Sequence, residues 1–192
     1  MQRQEHLVWR ELGRKRLLQS VVFDVYSISR TSSMGHEGEF IVLDSPDWVN
    51  VVPVTRDTIG RECFLMVHQY RQASQTLTIE FPGGVLDRNE KPEEGASREL
   101  VEETGYRAGD IHLAGKIIPN PAIMDNWCYT FVAENLEKVA GQVLDQLELL
   151  DYELIPVEEV QKRMGTGPYT HSLMMVALDF YNRWKTGKKY GC

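Results

Sequence analysis

The chain has 192 residues, 42% of them hydrophobic and 26% charged, with a formal net charge of −7. That length suits one domain of ordinary size, or one with a modest addition, and the apolar share is enough for a sizeable core. An acidic balance without a long basic run argues against broad capture of DNA or RNA, yet leaves room for a local basic pocket that holds a small anion. No apolar run approaches the ~18 residues of a membrane span, and the opening MQRQEHLVWRELGRKR lacks the apolar core of a secretory signal. Cys63, Cys128 and Cys192 are odd in number and far apart. The first two lie in apolar, strand-like runs, where a reduced buried thiol is the common outcome. The expectation is a cytoplasmic protein with neither a membrane nor a nucleic-acid partner.

In chain order, residues 19–30 and 39–43 read as strands joined by the turn TSSMGHEG. Strands follow at 48–54 and 63–71, and TLTIEF at 76–81 alternates until Pro82-Gly83-Gly84 stops it. Residues 92–104 open with a proline and end before Gly105, the marks of a helix. Strand-like runs return at 113–119, 127–135 and 152–157. A short helix is expected at 157–164 and a longer one at 170–186, with Leu173, Val176, Ala177, Phe180 and Trp184 on one stripe. Strands dominate the first half, and regular βαβ alternation is missing, so the fold class is α+β or a layered α/β/α arrangement.

The stretch GGVLDRNEKPEEGASRELVEETGY, residues 83–106, gathers acids on what reads as one helix. Glu99 and Glu103 stand at i and i+4 with Glu102 beside them, roughly 5–6 Å apart at Cβ. Ala96, Leu100 and Val101 give a stripe that can pack on a sheet, and Gly95 leaves the acidic side open. Two carboxylates about 5 Å apart repel by roughly 3 kcal/mol at an effective dielectric near 20. A divalent cation reverses that sign, and an all-oxygen set suits Mg²⁺ or Mn²⁺ better than zinc. Arg98, Lys91 and Arg88 are the nearby cations that could orient the acids or meet phosphate. On spacing alone a solvated acidic face is the commoner outcome, with a metal site as its competitor.

The wider pattern runs Gly84, five residues, Glu90, seven residues, Arg98-Glu99-Leu100, one residue, Glu102-Glu103, one residue, Gly105, Tyr106. It resembles the signature of the Nudix hydrolase family, G-x5-E-x7-R-E-U-x-E-E-x-G-U, where U is a bulky aliphatic. Tyr106 departs at the last position, which packs instead of reacting. The resemblance implies a Nudix-type α/β/α sandwich with a mixed sheet over 46–192, its signature forming a loop–helix–loop. It also implies an N-terminal β-strand extension over 1–45 that serves dimerisation, making a homodimer. It implies hydrolysis of a nucleoside diphosphate linked to another moiety, with Mg²⁺ or Mn²⁺ held mainly by Glu99 and Glu103. Glu102 is then a further ligand or helper, the Gly83 carbonyl completes the site, and Arg98 and Glu90 brace loop against helix. Bound cations acidify a coordinated water and neutralise the bridging oxygens.

The segment VHQYRQASQTLTIEFPGG resembles the entry of Nudix hydrolases of ADP-ribose and other nucleoside diphosphate sugars, which show Q-Y-R and then E-x-P-[AG]-G. The likeness falls on Gln69-Tyr70-Arg71 and Glu80-Phe81-Pro82-Gly83-Gly84. It makes Arg71 a phosphate contact, or the partner of Glu80 at the mouth of the site. Pro121, 15 residues beyond Tyr106, falls near a proline diagnostic of the ADP-ribose group. Trp48, Trp9 and Phe23 are candidates for stacking a base at a pocket built by two subunits. Relatives carry the general base on a loop before the last strand, here GQVLDQLELLDYE, and Glu148 fits best by offset. His171 could instead meet phosphate or act as the base, and Glu134 is a third choice. The reading is a Mg²⁺-dependent pyrophosphatase of a nucleoside diphosphate sugar such as ADP-ribose. Its competitors are a Nudix hydrolase of dinucleoside polyphosphates or coenzyme A, and a nucleotide-binding module without catalysis.

Overall fold

A computed structural model of the chain describes residues 4–187, so Cys192 lies outside the described residues. The chain divides into two compact units, Met1–Pro46 with Ile118–Trp127, and Asp47–Ile117 with Cys128–Cys192.

The first unit is an antiparallel three-stranded sheet in the order β1 (Trp9–Gln19), β2 (Asp24–Ser32), β3 (Glu37–Asp44). The strand expected at 19–30 starts only at Asp24, because residues 20–23 turn the chain between β1 and β2. There the Ser20 hydroxyl donates to the Phe23 carbonyl and accepts from its amide. β1 escaped sequence reading for a physical reason. Nearly every residue of WRELGRKRLLQ is exposed, so no core writes an apolar alternation into it. Its order comes from the ladder to β2 and from the Trp9 ring set edge-on to Phe40 at 5.4 Å. Residues 118–127 join this unit because the Leu43 amide donates to the Ile123 carbonyl at 2.7 Å.

The second unit holds a mixed seven-stranded sheet. Its strands are β4 (Trp48–Arg56), β5 (Glu62–Arg71), β6 (Thr76–Glu80), β7 (Gly83–Val85), β8 (Tyr106–Ile117), β9 (Cys128–Lys138) and β10 (Leu150–Pro156). The main path runs β10-β5-β4-β9-β8, with β4 and β9 parallel, while β6 pairs β5 and β7 pairs β4. Helix α1 (Pro92–Thr104) covers one face, where Ala96 and Leu100 pack on Val49, Val51, Leu65, Phe131 and Ala133. Helices α2 (Val157–Arg163) and α3 (Ser172–Lys185) contribute to the core on Val52, Phe64, Met66 and Val132. Leu65 faces one way and Phe64 and Met66 the other, the period-2 alternation of a strand buried on both sides. The result is a three-layer α/β/α sandwich.

The central helix has the bounds expected from Pro92 and Gly105. The α3 stripe does not. Met174, Ala177, Leu178 and Tyr181 are the buried positions, while Leu173, Val176, Phe180 and Trp184 are only half-buried. The helix is turned by about one residue, or 100°. The thioether of Met174 fills the centre, and Tyr181 meets Phe64 edge-to-face at 4.9 Å.

Candidate active site

β4 and β5 pair with each other only over Val54–Arg56 and Glu62–Phe64. Beyond that they splay, β5 continuing with β6 and β4 with β7. The chain crosses the gap at Phe81-Pro82: the Val51 amide donates to the Pro82 carbonyl at 2.8 Å, and the Phe81 amide reaches the Met174 sulfur at 2.9 Å. That crossing lays Gly83 and Gly84 against α1. A Cβ on Gly83 would run into the Val49 carbonyl and come within 3.0 Å of Asn50 Cα. One on Gly84 would come within 2.6 Å of the Glu99 carboxyl carbon. Backbone leaves no room for a side chain at Gly83, and one at Gly84 would have to push the Glu99 carboxylate from its place.

Glu99 and Glu103 are buried, at 8% and 5% exposure, and with Glu102, Arg98, Arg71 and Glu148 they line a cavity of about 590 Å³. Burial pushes Glu103 up to about 8; the Gly83 amide, donating at 3.0 Å, opposes this, and Glu99 and Glu148 add repulsion. Burial likewise pushes Glu99 up to about 7 against the pull of Arg98. Arg98 is the hub. Its Nε and Nη2 each bond Glu90 at 2.9 Å, and its Nη1 spans Glu99 and Glu102, both at 2.9 Å. Nη2 also reaches the Val85 carbonyl at 3.1 Å, which ties helix to loop. Arg98 holds the Glu90 carboxyl below its usual range. Gly95 does not open the acidic side, as the sequence suggested. It seats the loop, since a Cβ there would meet Leu86 and come within 2.9 Å of Glu90 Oε2.

Among the described residues, no three His, Cys, Asp or Glu side chains are gathered closely enough to hold an ion as they stand. Arg98 accounts for part of this, occupying Glu99 and Glu102 together. The chemistry of the donors still fits a hard cation. Glu103 is a buried carboxylate hydrogen-bonded to the Gly83 amide, with Glu99 and Glu148 repelling it and Arg71 pulling the other way.

Arg71 forks onto Glu80 at 2.9 and 2.6 Å, and the Thr78 hydroxyl donates to the same carboxylate at 2.6 Å. Burial raises the Glu80 carboxyl, but Arg71 and Thr78 outweigh it and hold the group below its usual value. The pair presents Arg71 to the cavity while Glu80 stays beneath it, 3% exposed. His171 caps α3, its Nδ1 accepting from the Leu173 amide at 3.2 Å, with Nε2 4.0 Å from Glu80. Burial holds its imidazole below the usual value, with Glu80 pulling the other way. It therefore belongs to the Arg71–Glu80 cluster and is not among the cavity's lining residues. Glu148 lines the cavity, and Glu134 lines a different depression with Arg56 and Glu62.

Lys91 pairs with Glu94 at 3.5 Å on the surface, and Arg88 is exposed. Trp48 is half-buried on β4, Phe23 sits in the β1–β2 turn, and Pro121 lies in the first unit's 118–127 segment. Cys63 and Cys128 are buried and free, with the Cys128 thiol pushed up to about 12 by burial. Gln69 in the Q-Y-R stretch and Val143, Leu144 and Asp145 in the loop before β10 also line the cavity, as does Asp87, and sequence reasoning gives none of them a role of its own. For Gln69 a signal existed, because it stands two residues before Arg71 and shares its face of β5.

Comparison with known proteins agrees with this geometry. The NUDIX domain profile matches residues 46–173. An ADP-sugar pyrophosphatase from Mus musculus is 36% identical over 88 residues, 46% of this chain and 39% of that protein. An ADP-ribose pyrophosphatase from Bacillus subtilis is 28% identical over 152 residues, 79% of this chain and 80% of that one. The crystal structure of an ADP compounds hydrolase shares the fold at a TM-score of 0.81 and 22% identity, covering 94% of this chain and 95% of its own. With the profile spanning two-thirds of its length and the signature acids converging on one cavity, the chain belongs to the Nudix hydrolase family.

Proposed function

We propose that the protein hydrolyses the pyrophosphate bond of a nucleoside diphosphate sugar, ADP-ribose or a similar compound, to a nucleoside monophosphate and a sugar phosphate. The observation that carries this reading is the pairing of Glu99 and Glu103 in a cavity that also presents Arg71. Glu99, Glu103 and Glu102, with the carbonyl of Gly83, would hold Mg²⁺ or Mn²⁺. The ion supplies an acidified water and charge neutralisation on the diphosphate. Arg71, pre-aligned by Glu80, offers its remaining donors to a phosphate oxygen. Glu148 takes the proton from the attacking water, and Arg98 keeps the helix acids in register with β7. His171 supports the Arg71–Glu80 pair from beneath.

The names of the mouse and Bacillus relatives support a nucleotide sugar as the substrate class. We further propose a cytoplasmic homodimer whose β extension, residues 1–45, serves dimerisation beside a catalytic domain over 46–192. A screen of ADP-ribose, GDP-mannose, ADP-glucose, UDP-glucose, NADH and coenzyme A with Mg²⁺ and with Mn²⁺, products identified by mass, tests the reading. Monophosphate and sugar phosphate from a nucleotide sugar support it. Turnover of coenzyme A alone, or of no compound, overturns it.

A further inference from the structure

A helix leaves its last four carbonyls without partners inside the helix. At the end of α1 the chain over 138–143 takes up four successive ones. The Val143 amide donates to the Glu102 carbonyl at 2.8 Å, and Gln142 Nε2 to that of Glu103 at 2.7 Å. Lys138 Nζ donates to the Thr104 carbonyl at 2.8 Å, and the Val139 amide to that of Gly105 at 2.9 Å. Two of these carbonyls belong to the residues whose side chains line the acidic cavity. Gln142 does more than cap. The same Nε2 also donates to the Leu150 carbonyl at 3.2 Å, at the start of β10. One side-chain amide thus ties the helix to both ends of the loop over 142–150. Inside the loop, the Glu148 amide donates to the Asp145 carbonyl at 2.9 Å and the Asp145 amide to Glu148 Oε2 at 3.2 Å. The loop is a closed turn hung from α1, and Glu148 points from it into the cavity shared with Glu99 and Glu103.

We propose that Gln142 is a positioning residue: it clasps the ends of the 142–150 loop to the carbonyl of Glu103 and so fixes the carboxylate of Glu148 beside the Glu99–Glu103 pair. A plain helix cap would need only one of the two bonds and would act on stability alone. This inference rests on the hydrolase reading above and on Glu148 as the proton acceptor.

The test is a double-mutant cycle of Gln142→Ala with Glu148→Gln, using ADP-ribose with Mg²⁺, alongside amide hydrogen exchange of residues 143–149. A misplaced group costs on the order of ten- to a hundred-fold in rate, so Gln142→Ala is expected to lower kcat by that factor with KM within about two-fold. In the Glu148→Gln background the same change should cost nothing further, because the group being positioned is already gone. Exchange across 143–149 should quicken in Gln142→Ala. A loss of kcat that recurs undiminished in the Glu148→Gln background overturns the proposal, as does unchanged exchange. Should Gln142→Ala not fold, Gln142→Met keeps the length without the donor and carries the same comparison. If the wild-type protein turns over no nucleotide sugar, the hydrolase reading has failed, and the exchange arm still decides whether the clasp exists.

Discussion

Gly84 shows how tightly a single position can be specified. The Glu99 carboxylate rests where a side chain at 84 would begin, so Gly84→Ala must displace one or the other. Overpacking of this kind costs about 1–3 kcal/mol, and it should show in urea unfolding together with a fall in kcat of about ten-fold or more. A variant with full activity would mean that Glu99 does not need this seat. The thiols give a second check at this scale. Cys63 and Cys128 are buried, and the Cys128 thiol lies far above neutral pH. In a Cys192→Ser variant the native protein should leave a disulfide reagent unconsumed at about pH 8, and both thiols should react once guanidinium unfolds the chain. Helix offsets put Glu99, Glu102 and Glu103 on one side of α1, but spacing alone left a solvated acidic face the commoner outcome, and it was the resemblance of the wider pattern that singled out these acids and Arg98. Gln142 was not legible, since its two partners are backbone carbonyls that no side-chain pattern announces.

At the scale of elements, α1 could be read to the residue because proline and glycine mark its ends. α3 could not be phased, because its apolar residues nearly encircle it and the true face depends on what Met174 and Tyr181 meet in the sheet. Met174→Ala should cost about 2–5 kcal/mol of stability and Leu173→Ala less than half as much; the reverse ranking by denaturant unfolding would reinstate the stripe read from sequence. The β5–β6 pair makes a pH prediction. The Glu80 carboxyl is depressed in the folded protein, so its contribution is present above the unfolded value of ~4.3 and is lost as pH falls through the lower folded value. The stability gap between wild type and Glu80→Gln should therefore be largest near neutrality and shrink as pH falls below about 5. A gap that widens with acid would contradict the Arg71 ion pair.

For the whole molecule, the order of strands and helices left α+β and a layered α/β/α arrangement both open, the family resemblance pointed to the sandwich, and the central strands announced themselves as apolar runs. The three-stranded unit was legible only in part. Its exposed β1 carries no alternation, and the return of residues 118–127 to it depends on a pairing with Leu43 across some eighty positions of chain. The site is built by the same long-range logic: a sheet that splays between β4 and β5 admits the glycines of β7, and they meet the acidic side of α1. The claim on which this rests is that Glu103 serves a bound cation in pyrophosphate cleavage. It is tested most directly by comparing turnover of ADP-ribose with Mg²⁺ in wild type and Glu103→Gln at neutral pH, with folding verified by circular dichroism. A fall of roughly a thousand-fold, about 4 kcal/mol of barrier, is the predicted result, and a variant as active as wild type would contradict it.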